Sequence, residues 1–377
     1  MVYHRGVKYL YNDAPALCGG DDLMMKTLFD FAYPNVWTAM AECDLPIVLY
    51  GMGNGADKVL DEMEKRHIKA AGVMASDDFC RYQAYRGFTV QKESDFAHQL
   101  GAFSVALCFG SSLPDVTAHI RAVAERHTLL VPNVPVAGDT IMDEAFIERY
   151  RDDIARAYGL LADDRSRRVF KDALDFYYTG RLEYLLAIDS DKDEVFRDIL
   201  CLRDERYLDL GAYRGDTVDE FLHYTEGYEA ILAVEPNPKN FKKLTEHLTH
   251  IENATALNAG IAEHQGVTFV TKGGGRMAAL SAQSGTQVPV TTVDALGFHP
   301  TYLKVDIEGM EREMLSGARD TLWRDCPKLN LAAYHRTEDF FSLILRLHEI
   351  QPDYRLYLRK HPYIPCWDLN IYACRIG

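Results

Sequence analysis

The stretch YLDLGAYRGDTVDEF, Tyr207–Phe221, predicts a buried strand that runs through a glycine turn into a helix. In an open α/β sheet such a turn lies at the carboxyl end of its strand, where ligands bind. Asp209 closes the strand, and Gly211 and Gly215 allow a tight turn. Tyr213 stands where a dinucleotide-binding turn has its second glycine, so its side chain would crowd a pyrophosphate. This turn therefore favours a ligand that carries positive charge and no phosphate, with Asp209 as its anionic partner.

An earlier glycine turn, VLYGMGNGADKVL (Val48–Leu60), fits dinucleotide spacing better than the later one does. The residues that match G-x-G-x-x-A are Gly51, Gly53 and Ala56, and Asp77 or Asp78 follows where a ribose-binding acid is expected. Tight strand-to-helix turns require glycine for other reasons as well, and no Tyr-x-x-x-Lys pair follows in this region. Two alternatives stay open: an NAD(P)- or nucleotide-sugar-binding oxidoreductase centred on this turn, and a non-catalytic binding module.

With 47% hydrophobic and 26% charged residues, the composition is ordinary for a globular protein. Its 377 residues predict two domains at roughly 150 residues each. The net charge of −15, from 41 basic and 56 acidic residues, argues against nucleic acid or an anionic membrane surface as the main partner. No apolar run approaches the ~20 residues of a membrane span, and the eight cysteines are scattered without a C-x-x-C. We therefore expect a cytoplasmic protein with reduced thiols and no membrane span.

Alternating strand and helix patterns predict an α/β fold with two Rossmann-like domains. The expected divisions are a helical segment over 1–45, a Rossmann-like nucleotide-binding-type domain over 46–137, a helical connector over 138–203 and a second domain over 204–377. Residues 266–293 interrupt the second domain and are predicted to form a hairpin. The last two strand-like runs, YRLYLRK and LNIYACRI, have only eight residues between them. A parallel return needs a dozen or more residues, so these runs should pair antiparallel.

The segment TYLKVDIEGMEREMLSGA, Thr301–Ala318, resembles the signature of the FkbM family of S-adenosylmethionine-dependent methyltransferases. That signature reads K-[IV]-D-[IV]-E-G-x-E-x-x-[VL]-L-x-G-A, and only Met314 departs from it here. The resemblance extends through DLGAYRGDTVDEF, AVEPNP, VTTVDAL and the tail, covering about 204–377. It implies a class I methyltransferase sheet with an antiparallel last strand. It also implies S-adenosylmethionine as cofactor and O-methylation of a hydroxyl on a sugar, glycan precursor or polyketide-like metabolite.

The resemblance also implies a set of cofactor-binding residues at the carboxyl ends of the strands. Glu235 ends the strand after the glycine turn and is placed to bind the ribose hydroxyls, and Asn258 lies where this class touches adenine. The residues expected around the methionine part are Asp209, Gly211, Tyr213, Gly215 and Thr217, and Asn237 and Asp306 complete the cofactor-binding set.

Three side chains are candidates for catalysis, because a neutral hydroxyl benefits from a base as it attacks a methyl group. They are Asp306, Glu308 and His335, of which the histidine has the unperturbed pKa best suited to a base at neutral pH. Other roles stay open: Asp306 as a cap of the helix near Gly309, Glu308 at the positive end of that helix, and His335 on the rim. The same three groups are also a possible set of ligands for a divalent metal, but their spacing does not decide this and no metal is predicted.

Two further regions have open roles at this stage. The basic tip Thr271–Arg276 is either a flexible loop end or a lid whose Lys272 or Arg276 meets an anionic group. The first domain either holds a nucleotide or sugar part of the acceptor, supports a homodimer, or is purely structural.

Overall fold

The computed structural model describes residues 21–77, 79–270, 280–281 and 286–375. Asp78 and the predicted lid residues Lys272 and Arg276 lie outside this part of the chain. By its internal contacts the chain divides into two units, Met1–Ala32 and Tyr33–Gly377. Helix α1 (Asp21–Leu28) belongs to the first unit, and all other elements belong to the second. None of the described helices combines the length and the apolar character that a bilayer span requires.

The first sheet is parallel and has four strands in the order β2-β1-β5-β6. Its strand β1 is IVLY, which is buried along its whole length, as is typical of a strand covered by helices on both faces. The elements of this region are α2 (Val36–Ala41), β1 (Ile47–Tyr50), α3 (Asn54–Lys65), β2 (Ala70–Met74), β3 (Ala84–Tyr85), β4 (Phe88–Thr89), α4 (Glu93–Leu100), β5 (Ser104–Leu107), α5 (Pro114–Arg126) and β6 (Leu129–Leu130).

Backbone conformation and packing explain Gly51 in the turn after β1. Gly51 has φ +115°, and a Cβ at this position would lie 2.6 Å from Cδ1 of Phe109. The side chain of Asp77, proposed above as a ribose-binding acid, is 73% exposed and lies 3.8 Å from the Lys92 ammonium. Backbone conformation and the Phe109 ring therefore account for Gly51 without any nucleotide.

Helices dominate the segment between the two sheets. They are α6 (Glu144–Gly159), α7 (Asp164–Thr179), α8 (Leu182–Leu186) and a π-helical stretch, Glu194–Leu200. The carboxylates of Asp143 and Asp163 accept hydrogen bonds from the first-turn amides of α6 and α7, at 3.0 and 2.7 Å. These N-caps explain where the two long helices begin.

The second sheet has seven strands in the order β16-β17-β15-β14-β7-β8-β9. Only β17 runs antiparallel to its neighbours, which confirms the expected α/β fold with an antiparallel last strand. A smaller sheet, β10-β13-β11-β12, contains the predicted antiparallel pairing of β11 with β13. The elements are β7 (Glu205–Leu210), α9 (Asp216–Tyr224), β8 (Tyr228–Val234), α10 (Pro238–Leu248), β9 (Ala254–Leu257), β10 (Gly260–Ile261), β11 (Gly266–Val270), β12 (Leu280–Ser281), β13 (Thr286–Thr291), α11 (Val293–Leu296), β14 (Tyr302–Val305), α12 (Glu311–Ser316), α13 (Arg319–Asp325), β15 (Lys328–Ala332), α14 (Asp339–Ile350), β16 (Tyr354–Lys360) and β17 (Leu369–Arg375).

The centre of this sheet is held by stacked aromatic rings. The ring of Tyr207 on β7 stacks on Tyr302 of β14 and on Phe221 of α9, with centroids 4.9 and 4.3 Å apart. All three side chains are buried. Such ring pairs each contribute about 0.5–1.5 kcal/mol beyond the burial of their area. They fix β7 beside β14, so the loops after these two strands meet at one edge of the sheet.

Arg359 joins strand β16 to the helical segment. Its side chain is 1% exposed, and its Nη2 lies 2.8 Å from Asp163 and 2.7 Å from Glu194. Replacing Arg359 with methionine is expected to lower the free energy of unfolding by about 3 kcal/mol, because both carboxylates lose their partner. Urea unfolding measures this, with Arg355→Met on the exposed side of the same strand as the matched control. Equal stability of the two variants would show that the ion cluster is unimportant.

The same cluster predicts an acid-dependent loss of stability. Burial acts to raise the pKa of Asp163, but hydrogen bonds from Arg359 and Ser166 outweigh it and lower the pKa to about 2. A carboxyl whose pKa is depressed on folding stabilises the fold above its unfolded pKa of about 3.9. That contribution is lost as the pH falls from about 4 towards 2. Unfolding of Arg359→Met should show a smaller part of this pH dependence, because only the hydrogen bonds from Ser166 then lower the pKa of Asp163.

Candidate active site

A cavity of about 520 Å³ opens at the carboxyl ends of β7, β8, β14 and β15. Of the residues predicted from the sequence, Gly211, Tyr213, Thr217, Glu235, Asp306, Glu308 and His335 line it. Asp209, Gly215, Asn237 and Asn258 are not among the lining residues. The fold therefore brings seven of the predicted cofactor-binding and catalytic residues to one cavity. The other four lie near it without lining it.

The turn after β7 passes unusually close to the end of β14. Gly211 has φ +85°, and a Cβ there would lie 1.8 Å from the carbonyl oxygen of Asp306. Tyr213 has φ +49°, a conformation that few side chains other than glycine adopt. Its amide donates to Oε2 of Glu235 at 3.0 Å. An amide that would face a phosphate in a dinucleotide turn is thus directed at a carboxylate of the protein.

Glu235 is held rigidly at the end of β8. It is 6% exposed, and its Oε1 accepts from the amide of Asn237 at 2.8 Å. Burial raises the pKa of Glu235, and the hydrogen bonds from these amides act against that shift. Each carboxylate oxygen has a second lone pair, so the group can still accept hydrogen bonds from two hydroxyls.

Asn237 and Asn258 support this acid from behind. The Asn237 side chain accepts from Lys239 N at 2.9 Å and so caps α10. Asn258 donates from Nδ2 to the carbonyls of Glu235 and Pro236, at 2.8 and 3.0 Å. In this structure both asparagines shape the chain after β8 rather than the cavity surface.

Asp209 has a different position from the one expected for a direct partner of the ligand. It is fully buried, accepts from the hydroxyl of Thr217, and lies 3.4 Å from the ammonium of Lys304 on the neighbouring strand. Burial raises the pKa of Asp209, and Lys304 acts against that shift. Burial acts to lower the pKa of Lys304, but nearby carboxylates, Asp209 first, raise it. The pair therefore forms the floor of the site, and Asp209 does not itself present a charge to the cavity.

Gly215 and Thr217 complete this floor. Gly215, with φ +100°, lies at the start of α9 beside the ring of His247. The hydroxyl of Thr217, in the first turn of that helix, donates a hydrogen bond to Asp209.

Among the side chains that line the cavity, carboxylates nevertheless outnumber basic groups. The carboxylates that line it are Asp216, Glu220, Glu235, Asp306, Glu308 and Asp368, and the basic side chains are Lys192, Lys304, His335 and His361. This excess of carboxylates suits a cationic ligand and opposes a pyrophosphate.

The loop between β14 and α12 carries the candidate catalytic acids. It does not use Asp306 as a helix cap: α12 begins at Glu311 after Met310, and no side chain caps it. Instead Oε1 of Glu311 accepts from the amides of Ile307 and Gly309, at 3.1 and 3.4 Å. Glu308 adopts φ +56° within this loop. The loop is thus folded around the carboxylate of Glu311, a residue that the sequence did not single out.

His335, which follows β15, is enclosed by three carboxylates. Its Nε2 lies 3.4 Å from Asp306 Oδ1 and 3.7 Å from Glu308 Oε2, and its Nδ1 lies 2.9 Å from Glu311 Oε1. The hydroxyl of Tyr334 donates to Asp306 at 3.4 Å. Asp306, Glu311 and His335 bring their possible ligand atoms within 4.8 Å of one another.

These charges change the expected role of His335. Burial acts to lower its pKa, but Coulombic attraction to Glu311, and then to Asp306 and Glu308, raises the pKa to about 10. The ring is therefore positively charged at neutral pH when only protein surrounds it. A protonated imidazole cannot accept a proton, so this environment does not fit a general base, and the carboxylates are the better candidates.

Several residues that line the cavity were not predicted from the sequence. Lys304 precedes Asp306 by two residues in the signature, but it lies within a strand, and a strand pattern does not show that its side chain lines a cavity. Others lie before β7 or in the loop between β16 and β17. Examples are Ser112, Val136, Lys192, Tyr363 and Trp367.

Comparisons with known proteins agree with this geometry. Residues 209–365 match the family described as Methyltransferase FkbM domain. A methyltransferase FkbM from Methylobacillus flagellatus KT has a similar structure, with a TM-score of 0.70 and 23% identity over 94% of this chain and 98% of that chain. A search of curated proteins found no match.

Two more distant structures align with about half of the chain. They are a precorrin-6y C5,15-methyltransferase from Geobacter metallireducens GS-15 (TM-score 0.32, 14% identity, 48% of this chain and 85% of that chain) and an Aeropyrum pernix fibrillarin with S-adenosyl-L-methionine (TM-score 0.31, 14% identity, 46% and 68%). Similarity at this level carries no argument about function. The matched segment and the acidic cavity at its strand ends identify residues 209–365 as an S-adenosylmethionine-dependent methyltransferase domain of the FkbM family.

Proposed function

We propose that the second domain, 204–377, transfers the methyl group of S-adenosylmethionine to a hydroxyl oxygen of a sugar, glycan precursor or polyketide-like metabolite. The observation that carries this proposal is the position of Asp306 and Glu308. Both carboxylates line the cavity that Gly211, Tyr213 and Glu235 also line. A hydroxyl must lose its proton as it attacks, and a carboxylate beside it can accept that proton.

The residues around the cavity form two groups. One group, the donor half, would bind the methyl donor, and the other would accept the proton of the hydroxyl. When bound, S-adenosylmethionine supplies a methyl group activated by its sulfonium. Glu235 would accept hydrogen bonds from the ribose hydroxyls, and the backbone at Gly211 and Tyr213 would hold the methionine part. Asp306 or Glu308 would accept the proton that the acceptor hydroxyl loses as it becomes methylated. His335 would position these carboxylates, because its Nε2 lies 3.4 Å from Asp306 Oδ1 and 3.7 Å from Glu308 Oε2.

Two loops shape the acceptor side of the cavity. Ser111, in the loop after β5, pairs with Ile364 through two backbone hydrogen bonds of 2.7 and 3.0 Å. The loop between β16 and β17 adds Tyr363 and Trp367, whose rings lie 5.5 Å apart and line the cavity. Aromatic faces beside polar groups suit a ligand with an apolar face and several hydroxyls. We therefore propose that the first domain helps to hold the acceptor.

Replacing Glu235 with glutamine should weaken the binding of S-adenosylhomocysteine by about 10- to 100-fold, because a hydrogen bond to a charged group is worth about 1.5–3 kcal/mol. The amide nitrogen of glutamine would also face the backbone N–H of Asn237 or of Tyr213. Calorimetry measures the affinity, with Glu229→Gln, an exposed acid on the same strand, as the matched control. Wild-type affinity in Glu235→Gln would remove Glu235 from the donor site.

The proposed reaction is tested by locating the transferred methyl group. The protein is incubated with methyl-labelled S-adenosylmethionine and a panel of sugars, nucleotide sugars and hydroxylated lactones, and the products are analysed by NMR. We expect label on oxygen in at least one product. Transfer to nitrogen or carbon, or to none of the panel while donor binding is intact, would overturn the proposal.

A further inference from the structure

The acceptor side of the cavity contains a carboxylate that has no cationic side chain beside it. Asp368, in the loop between β16 and β17, is partly buried and lines the cavity. Its Oδ1 accepts a hydrogen bond from Nδ2 of Asn370 at 2.7 Å, and within the described part of the chain no lysine, arginine or histidine forms an ion pair with it. Such a carboxylate, partly removed from water and without a counter-ion, favours a positively charged ligand.

The hydroxyl of Tyr372, which also lines the cavity, can only accept a hydrogen bond from a ligand. Nδ1 of His361 lies 3.1 Å from the carbonyl oxygen of Ser190, and a carbonyl only accepts, so Nδ1 carries the hydrogen. Burial lowers the pKa of His361 and keeps the ring neutral, so its Nε2 accepts from the Tyr372 hydroxyl at 2.8 Å. Burial and then the nearby charge of Asp368 raise the pKa of Tyr372, so its hydrogen stays on oxygen. That hydrogen is already used, and only lone pairs of the oxygen are left for a ligand.

The loop that carries Asp368 also contributes two aromatic rings to the cavity. The ring centroids of Tyr363 and Trp367 lie 5.5 Å apart, and their planes are tilted by 40°. Both rings pack against Gly110 in the loop after β5, where a Cβ would lie 2.5 Å from the Trp367 ring and 3.0 Å from the Tyr363 ring. Contact with this backbone holds the rings in place, and aromatic faces attract cations.

Both lysines that line the cavity are already paired with carboxylates. The ammonium of Lys192 is held by Glu220, and that of Lys304 by Asp209. Among the described lining residues, six carboxylates stand against these two lysines and the charged ring of His335. S-adenosylmethionine adds one net positive charge, so negative charge remains in excess after the donor has bound. A phosphate or carboxylate on the acceptor would therefore be repelled.

We propose that Asp368, Tyr372 and Trp367 bind an ammonium group of the acceptor, so that the methylated hydroxyl belongs to a polyhydroxylated amine such as an amino sugar. An ammonium group has three hydrogens to donate and no lone pair, which matches a carboxylate and a hydroxyl oxygen that can only accept. This inference rests on the proposed function, because it assigns the chemical class of the acceptor. It disfavours nucleotide sugars and sugar phosphates as acceptors.

Titration with glucosamine, glucose and glucose 6-phosphate tests the ammonium site, because these sugars share one ring and differ in charge. The full chain is first saturated with S-adenosylhomocysteine, and ligand NMR measures the affinities, including weak ones. We expect glucosamine to bind at least about tenfold more tightly than glucose, because hydrogen bonds between charged groups are the stronger kind. Glucose 6-phosphate should not bind.

Asp368→Asn should abolish the preference for glucosamine and leave the affinities for glucose and S-adenosylhomocysteine unchanged. Asp368 has φ +60°, a conformation that asparagine adopts readily, and the asparagine Oδ1 can still accept from Asn370. The matched control is Asp353→Asn, which changes a 63% exposed carboxylate at the opposite end of the β16–β17 pair and should keep the preference.

Equal affinity of the wild-type chain for glucosamine and glucose, or no binding of either, would overturn the proposal, as would an unchanged preference in Asp368→Asn. Weaker binding of S-adenosylhomocysteine to Asp368→Asn would also overturn it, because the carboxylate would then belong to the donor site. The titration needs no turnover. Transfer to oxygen of a neutral or anionic acceptor would refute the ammonium site alone, whereas a preference for glucosamine with transfer to nitrogen would refute the proposed function alone.

Discussion

Asp306→Asn is expected to lower the rate of methyl transfer by about 100- to 10,000-fold while leaving the affinity for S-adenosylhomocysteine largely unchanged. Asparagine has the same shape and can still accept a hydrogen bond from Tyr334, but it cannot take the hydroxyl proton. The donor half of the cavity is built from the turn after β7 and the end of β8, so it does not depend on this side chain.

Initial rates with an acceptor from the labelling screen measure this effect, alongside calorimetry with S-adenosylhomocysteine. Asp320→Asn, an exposed acid on α13, is the matched control and should behave like the wild type. An unchanged rate together with unchanged donor affinity would exclude Asp306 from catalysis. A parallel loss of rate and donor affinity would instead make it a donor-binding residue.

Of the single-methyl substitutions in the turn after β7, Gly211→Ala is expected to lower the stability of the fold and the affinity for S-adenosylhomocysteine most. Its Cβ would lie 1.8 Å from the Asp306 carbonyl oxygen and 2.9 Å from the carbonyl carbon, and the residue has φ +85°. Both obstacles are backbone atoms of Asp306, the residue directly after β14, so no side-chain rotation relieves them. We expect a loss of about 3–5 kcal/mol in the free energy of unfolding and no measurable donor binding.

Urea unfolding and donor calorimetry test this prediction. Gly159→Ala is the matched control, because a Cβ at this exposed helical position meets nothing within 4 Å. The control should retain wild-type stability or gain slightly, since alanine favours a helix over glycine. Similar behaviour of the two alanine variants would mean that the turn and β14 can separate at little cost.

Local patterns in the sequence were sufficient for the architecture of the second sheet. Each of its seven strands is a short apolar run, and the short link between the last two runs required the antiparallel pairing that β16 and β17 show. The glycine turn and the acids at the strand ends were also visible, because ligands in such sheets lie at the carboxyl ends of strands.

The charges and pKa shifts in the site could not be predicted from the sequence, because they depend on contacts between residues that local sequence patterns do not reveal. Asp209 and Lys304 are direct partners in the register of β7 and β14, so the acid that seemed available to a ligand has a buried counter-ion. Likewise, Glu311 reaches the ring of His335 only because the loop after β14 folds back around its carboxylate. The expectation that His335 acts as a base assumed an unperturbed pKa, and three converging carboxylates remove that assumption.

The most direct test is calorimetric titration of the full chain with S-adenosylhomocysteine and, separately, with NADH. An acidic cavity whose turn amide is already bonded to Glu235 should bind one S-adenosylhomocysteine per chain, displaced by S-adenosylmethionine, and should give no heat with NADH. Binding of NADH without binding of S-adenosylhomocysteine would contradict the account.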